Sequence, residues 1–388
     1  MNKLAITLPP FAPDYSGVCS ALFELGGMQI IHDASGCTGN YTGYDEPRWY
    51  NSRSLVFCSG LRELDAVLGD DEKLIAKISL AAKELRPAFI AILGSPVPMV
   101  IGSDFTGISA EAESVTGVPS FGFSTTGLEY YDLGISAAYT TLFERFAEQP
   151  QKKQKGLINL LGATPLDFGT GKNLQLFSEE LKKYGYTPRN IFGAGSSISE
   201  IAKIGEAELN LVLSYSGLKV AELLSQEFSI PYVCGQPVGV KAVEALFSEI
   251  EGSLSGTENN YFSEKKDYTR SESKPHSRIL LIGEQITMLS IKKALLLDYG
   301  ISECDIALPF NYSPGLEGIP VESEKALREI MNSGHYRTII GDPLYRNLLR
   351  KPLNFVPLPH VAVSSKIYWH QETVWAGEKI IKILKGLI

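Results

Sequence analysis

The chain has 388 residues, 44% of them hydrophobic and 21% charged, with a formal net charge of −8. That length exceeds one ordinary hydrophobic core and points to two or three globular domains. The acidic balance excludes general nucleic-acid binding, which needs a basic face, and no run approaches the roughly 18 apolar residues of a membrane helix. The start, MNKLAITLPPF, lacks the pattern of a signal peptide. Five cysteines, an odd number in a large chain, do not suit a disulfide framework. A soluble cytoplasmic protein is expected.

Residues 1–18 read as an extended, proline-rich lead-in ending at Gly17. Residues 19–27 read as a short helix with Cys19, Leu22 and Leu25 on one side. MQIIHDA (28–34) and LVFC (55–58) read as strands, with GCTGN as a turn between them. Apolar residues then recur at helical spacing from Leu61 to Leu85, broken at Gly69. PAFIAIL (87–93) is a buried strand followed by the loop GSPVPMVIGSD. A strand at 118–123 and a helix at 134–147 follow.

The lysine-rich QPQKKQKG (149–156) reads as a linker. A second unit carries strands at 156–162, 209–214 and 230–234, with helices KNLQLFSEELKKYGY and GLKVAELLSQEF. The most polar stretch, 252–277, marks another boundary. A third unit opens with the strand 278–284 and the helix ITMLSIKKALLLDYG. It continues through strands at 336–342 and 355–359 to a closing amphipathic helix, TVWAGEKIIKILKGLI. Strands alternating with helices of these lengths predict an α/β fold with mainly parallel sheets. The division expected is 1–150, 156–252 and 278–388, with 252–277 a polar linker, and the three units repeat in pattern.

Three cysteines, Cys19, Cys37 and Cys58, share one glycine-rich stretch. Thiolates on such turns bring sulfur and backbone close to a soft metal centre; small buried residues are the alternative. Cys234, at a strand end, and Cys304, in a turn, read as structural. The run LGATPLDFGTG (161–171) precedes a helix and could receive an anion. It is not a P-loop, because Lys172 is followed by Asn173, so ATP is expected to be handled by a partner. Tyr44, Trp49 and Tyr50 read as local packing, with an electron path or substrate platform the alternative, and His32 as a packed residue or one supporting a ligand from behind. His370, beside Trp369, reads as a proton donor or a hydrogen-bonded surface histidine.

SGLRELDAVLGDDEKL (59–74) resembles the segment S-x-x-x-E-x-D-x-V-x-G-G of nitrogenase component 1 proteins and their relatives. SGCTGNY (35–41) is similar to that family's G-x-x-G-C cluster loop, and Cys19 matches its first cluster cysteine. Residues 208–246 and 370–384 resemble its second-domain and C-terminal segments, so the resemblance spans nearly the whole chain. It implies three Rossmann-like domains around a central cleft, with a C-terminal helix returning to the body. It also implies an iron–sulfur cluster, [4Fe–4S] or a larger P-cluster-like form, in the first domain at a subunit interface.

The family's third cysteine belongs in the loop after 87–93, which here reads Gly94-Ser95-Pro96. Cys58 is the natural substitute. The resemblance thus assigns Cys19, Cys37 and Cys58 as metal ligands and Gly36, Ser59 and Ser95 as cofactor-lining residues. Arg62, Glu63 and Asp65 are assigned to partner docking, the alternative being an ordinary solvated helix start whose acids favour the dipole. The cysteine that anchors the large cofactor of nitrogenase α chains is replaced by Ser214, and neither His360 nor His370 aligns cleanly with its partner histidine, so the chain does not read as nitrogen-fixing. What is implied is an oxidoreductase subunit paired with a homologous component-1 chain and fed by an ATP-hydrolysing iron protein. Its catalytic residues are unassigned, and neither nucleic acid nor membrane is a partner. A scaffold for metal-cluster assembly, or a metal-chelate binding protein without a cluster, is the alternative.

Overall fold

Runs of aliphatic residues with no polar alternation need cover on both faces, and here they form three parallel sheets. The computed structural model describes residues 5–52, 54–69, 71–149, 152–190, 195–256, 278–371 and 373–384. The first sheet contains β1 (Met28–Ile31), β2 (Leu55–Cys58), β3 (Ile90–Leu93) and β4 (Ser120–Phe123), in the order β2-β1-β3-β4. The second contains β5 (Gln154–Leu161), β6 (Thr187–Asn190), β7 (Ala207–Val212) and β8 (Tyr232–Cys234), in the order β6-β5-β7-β8. The third contains β9 (Arg278–Ile282), β10 (Cys304–Leu308), β11 (Ile319–Pro320), β12 (Tyr336–Gly341) and β13 (Asn354–Pro357), in the order β11-β10-β9-β12-β13. Every strand pair is parallel.

The three sheets share one winding. The first strand of each unit sits inside its sheet, with the second on one side (followed in the third sheet by the short β11) and the remaining strands on the other. Such an order reverses direction at a switch point, where the carboxyl ends of two central strands part and leave a crevice. The switch points lie at β1/β3, β5/β7 and β9/β12. Two of them are closed by the same clasp. Ser95, after β3, donates its hydroxyl to the His32 carbonyl after β1 at 2.8 Å. Ser214, after β7, donates to the Gly162 carbonyl after β5 at 2.8 Å.

The side-chain period of two divides the first sheet between two cores. Ile31, Ala91 and Leu93 face the large core that continues through the second and third units. Met28, Ile30, Ile90 and Ile92 face a separate cluster under α4 (Asp71–Leu85) and α6 (Phe105–Thr116).

The lead-in expected over 1–18 is helical from Asp14. The helix α1 (Asp14–Leu22) runs through Gly17 and crosses α7 (Tyr131–Phe146) at contact distance. A Cβ on Gly17 would lie 1.9 Å from the Tyr131 carbonyl oxygen, and one on Gly134 would lie 1.9 Å from that of Asp14. Gly17 is therefore a contact point between helices and not a break. The Asp14 carboxylate accepts hydrogen bonds from the Thr126 and Gly127 amides, each at 2.8 Å, fixing the loop that enters α7.

Other expectations are corrected. Gly36–Asn40 forms a short helix, α2. The break expected at Gly69 within 61–85 is found: α3 (Glu63–Leu68) and α4 are separated there by Gly69, whose φ of 67° only glycine adopts freely. The loop after β3 contains the helix α5 (Pro96–Ile101), started by Pro96 in the first turn, where its missing N–H costs nothing. Cys304 begins β10 instead of lying in a turn. Helix Lys241–Ser255 extends into the linker expected over 252–277, whose positions 257–277 lie outside the described residues.

The closing helix is reduced to a turn at Glu378–Ile380 and the helix Ile381–Leu384; 385–388 are outside the described residues. Residues 373–377 form an extended strap instead. Asn173 Nδ2 donates to the Thr373 carbonyl at 3.0 Å, and Asn173 Oδ1 accepts from the Trp375 amide at 3.0 Å. The Trp375 indole donates to Gln236 Oε1 at 2.9 Å, and Gly377 pairs with Val238.

The helix crossing yields a prediction. Gly134→Ala forces α1 and α7 apart, so it should destabilise the chain by about 3 kcal/mol or more. Gly69→Ala, which meets no neighbour, should cost only about 1 kcal/mol from its backbone conformation. Urea denaturation of the two variants beside the wild type checks the contrast.

Candidate functional site

Two regions at the carboxyl edges of the sheets concentrate chemistry. In the first, β1 and β2 end side by side and deliver His32, Asp33, Cys58 and Ser59. The Asp33 carboxylate accepts from the Ser35 and Thr38 amides at 3.0 and 3.1 Å, holding the start of α2. Cys58 Sγ donates to the Asp33 carbonyl at 3.2 Å and accepts from the Gly60 amide at 3.3 Å. Ser59 Oγ accepts from the Asp33 amide at 3.0 Å and meets His32 Nδ1 at 2.9 Å. Cys37 is half-buried beside Asp33, Tyr15 and Ser95, and burial first, then the Asp33 charge, raises its thiol pKa. Cys37 and Cys58 are thus arranged around one aspartate.

Cys19 is elsewhere. It has no exposure, sits in the large core, and has Glu46 and Tyr41 as electrostatic neighbours; burial pushes its thiol well up. Among the described residues no group of three or more His, Cys, Asp and Glu side chains converges to hold a metal ion. Gly36 lies on an open face. Ser95 is fully buried and committed to its clasp, although its hydroxyl also reaches Cys37. Arg62 and Glu63 are exposed at the start of α3. Asp65 turns back to the Arg62 amide at 3.2 Å and to Lys73 at 2.7 Å. A cavity of about 210 Å³ opens beside them, lined by His32, Ser59, Asp65, Lys73, Lys77 and Asp104 among others.

The second region gathers residues from all three units. Tyr131, at the start of α7, donates to Asp167 Oδ1 at 2.5 Å. His360 Nε2, after β13, lies 3.2 Å from the same oxygen and 3.3 Å from the Tyr131 hydroxyl. The His360 amide donates to Asp342 Oδ2, after β12, at 2.8 Å. Glu284, after β9, caps the following helix by accepting from the Thr287 amide at 2.8 Å and takes the Tyr215 amide at 2.8 Å. Burial, then the neighbouring Asp167 charge, pushes Glu284 up to about 7. Burial pushes Asp132 up to about 6, although it accepts from Asn311 and so ties α7 to the third unit.

Sequence reasoning missed Tyr131, Asp167, Glu284 and Asp342. The signal for the three acids is a carboxylate following a buried strand, in RILLIGE, YRTIIGD and INLLGATPLD; Tyr131 carries none. His370 is exposed and remote from this cluster's hydrogen bonds, while His360 is part of it. Ser214 is buried, its hydroxyl held by Gly162 and Ser216.

Residues 14–300 match the family described as nitrogenase component 1 type oxidoreductase. The chain belongs to this family. It is 27% identical over 254 residues to the nitrogenase iron-molybdenum cofactor biosynthesis protein NifE of Clostridium pasteurianum, covering 63% of this chain and 54% of that protein. It is 35% identical over 104 residues to a light-independent protochlorophyllide reductase component of Chlorobium phaeovibrioides, covering 26% and 20%. It is also 22% identical over 335 residues to a nitrogenase molybdenum-iron protein alpha chain of Methanosarcina barkeri, covering 80% and 62%. The chain therefore spans about half the length, or less, of the first relatives it matches. A solved structure of nitrogenase Cp1 at pH 6.5 superposes with a TM-score of 0.71 over 100% of this chain and 93% of that one, at 14% identity, which establishes the shared fold. Among the described residues no helix is long and apolar enough to cross a membrane.

The raised Glu284 pKa gives a pH prediction. An unfolded glutamate titrates near 4.5, so between about 4.5 and about 7 the native state binds more protons than the unfolded state. This group's contribution to stability therefore falls as pH rises through that window. Glu284→Gln should flatten the corresponding part of the stability–pH curve, measured by urea denaturation from pH 4.5 to pH 8.

Proposed function

We propose that the chain is a component-1-type oxidoreductase subunit whose cysteine face meets a second component-1 chain and holds an iron–sulfur cluster between them. Low-potential electrons would come from a separate ATP-hydrolysing iron protein. The observation that carries this reading is the pairing of Cys37 and Cys58 around Asp33 at the edge of the first sheet. Two thiols per chain make four across a two-fold interface, the number a [4Fe–4S] cluster takes. Cys19 does not fit that set, because its thiol lies inside the core.

The surroundings suit such a group. A Cβ added at Gly36, Gly39 or Gly43 would meet nothing within 4 Å, so a cluster or partner can approach this backbone closely. Beside Cys58, α3 exposes Leu64, Val67 and Leu68 at 71, 75 and 76%, and α5 exposes Val100 at 77%. Adjacent apolar side chains at such exposure are the mark of an interaction surface, and a second component-1 chain would cover them. A cluster bound here would supply single-electron transfer. The protein's part is to place the two sulfurs. Asp33 fixes both the α2 start and Cys58, and the raised Cys37 pKa means that metal loading must displace a proton. Gly36, Ser59 and Ser95 would line the group. Arg62 and Glu63, exposed on the same edge, would meet the iron protein, while Asp65 braces α3 through Lys73.

The similarity to a cofactor biosynthesis protein over 63% of this chain favours a second reading, a scaffold on which a cluster is assembled. Oxidation of the cluster that depends on turnover supports the reductase, and a cluster that is only transferred supports the scaffold.

Iron and sulfide assay with EPR after anaerobic purification tests the cluster. Cys37→Ser and Cys58→Ser should each lose more than about half of the wild-type iron, whereas Cys19→Ser should keep it. Wild-type protein without iron, or full iron in both Cys37→Ser and Cys58→Ser, would refute the reading.

A further inference from the structure

Cys37 stands near the start of a segment that does not hold its shape alone. Helix α2 runs on into a π-helical turn, Tyr41–Asp45, and the joined segment contains Gly36, Gly39 and Gly43. Glycine is a poor helix former and helices this short are unstable in isolation, so contacts at the two ends decide where Cys37 lies. Asp33 holds the first end through the Ser35 and Thr38 amides. At the far end Asp45 accepts from Ser16 Oγ at 2.8 Å and from Asn40 Nδ2 at 3.0 Å. Further contacts there come from a different unit. We propose that Ser365 and Lys366, in the third unit, clamp the far end of this segment and are positioning residues for Cys37.

Two observations carry the proposal. The first is that Tyr44 is gripped twice. Ser365 donates its hydroxyl to the Tyr44 carbonyl, with Asp45 Oδ1 at 3.4 Å. A carbonyl in the last turn of a helix lacks a partner within it, and this hydroxyl supplies the donor. The Lys366 ammonium lies 4.2 Å from the centre of the Tyr44 ring, within cation–π range. The second is backbone strain. Ser365 has φ 53° and ψ −140°, a conformation that glycine adopts freely and serine does not. Among the described residues four non-glycine residues have positive φ, and two of them, Ser35 and Ser365, adjoin the two ends of this segment. Single π-helical turns and strained residues concentrate at functional sites.

The clamp is itself firmly mounted. The helical turn Val361–Ser364 leads into Ser365. It is wound on the His360 carbonyl, which accepts from the Val363 and Ser364 amides at 2.9 and 3.0 Å, while the Ala362 carbonyl takes the Ala12 amide at 2.8 Å. His360 is fixed in turn by Asp342 and Asp167. The position of Cys37 is thereby referred to the third unit as well as to the first. The meaning of this for electron transfer rests on the reading of Cys37 as a cluster ligand; the clamp itself does not.

Thiol alkylation of iron-free protein tests the clamp without a cluster. Purified full-length protein, reduced and stripped with a chelator, is pulsed with iodoacetamide at fixed pH, and mass spectrometry follows the peptides carrying Cys37 and Cys58. Ser365→Gly removes the hydroxyl and relieves the strain, and Lys366→Met removes the charge. Ser365→Gly should raise the ratio of the Cys37 rate to the Cys58 rate about threefold to tenfold, the change in local opening that one lost hydrogen bond produces. Lys366→Met should raise it less. A serine that served only the turn would leave the ratio unchanged in Ser365→Gly, because glycine adopts this conformation more readily. An unchanged ratio in either folded variant, or equal acceleration of both cysteines, overturns the proposal. Lys366→Met changes an exposed side chain, so it decides alone should Ser365→Gly not fold. Wild-type protein without iron refutes the cluster and leaves this ratio untouched, whereas an unchanged ratio refutes the clamp and leaves the cluster standing.

Discussion

The close crossing of α1 and α7 is the constraint on which both functional regions depend. Two glycines, Gly17 and Gly134, let each helix press against a backbone carbonyl of the other. Helix α1 carries Tyr15, which reaches Cys37, while α7 opens with Tyr131, which reaches Asp167. A larger residue at either glycine would move both tyrosines together. The crossing thereby gives the cysteine face and the interdomain cleft a common mechanical reference. It is a short path of packed atoms, the kind of element that transmits strain because protein interiors compress little.

The two regions differ in electrostatic kind. At the cysteine face the polar groups are largely committed to one another, but the surface itself is open, apolar and rich in glycine. Its incompleteness lies in what the chain presents outward. In the cleft, carboxyl groups gathered from separate strand ends are buried with aromatic rings, and the incompleteness is a buried Asp167 oxygen without a partner among the described residues. Burial raises the proton affinity of Glu284 and Asp342, which lowers the cost of gathering so many acids in one place.

The α/β class and the parallel sheets were legible because buried strands such as IAIL (90–93) and ILLI (279–282) read as continuous apolar runs between helical periods. Cys37 and Cys58 were legible as residues at strand and loop junctions. Other features were hidden for definite reasons. Gly17 signals a break when read locally, and only the partner helix reveals that it is a contact. Proline at 96 and 98 suggests a loop, yet in the first turn of a helix it is compatible with α5. Cys19 shares a stretch with the other cysteines, but its helix turns it into the core. The Asp167 cluster draws on residues 131, 167, 284, 342 and 360, and no local pattern joins positions so far apart. What sequence offers there is a weaker signal, an acid following a buried strand, found after β5, β9 and β12.

The strap that carries Trp375 has a consequence for biosynthesis. Chains emerge from the ribosome with the N-terminal part first, and domains fold largely as they appear. Both flat faces of the first sheet can find their cover within the first 150 residues or so, but one wall of the acidic cleft arrives some two hundred residues later. Until Trp375 docks on Gln236 and Asn173, Asp167 stays accessible to solvent from that side. The cleft's low-dielectric character is thus acquired only once the strap has been made and docked, after the carboxylates have been placed while still hydrated.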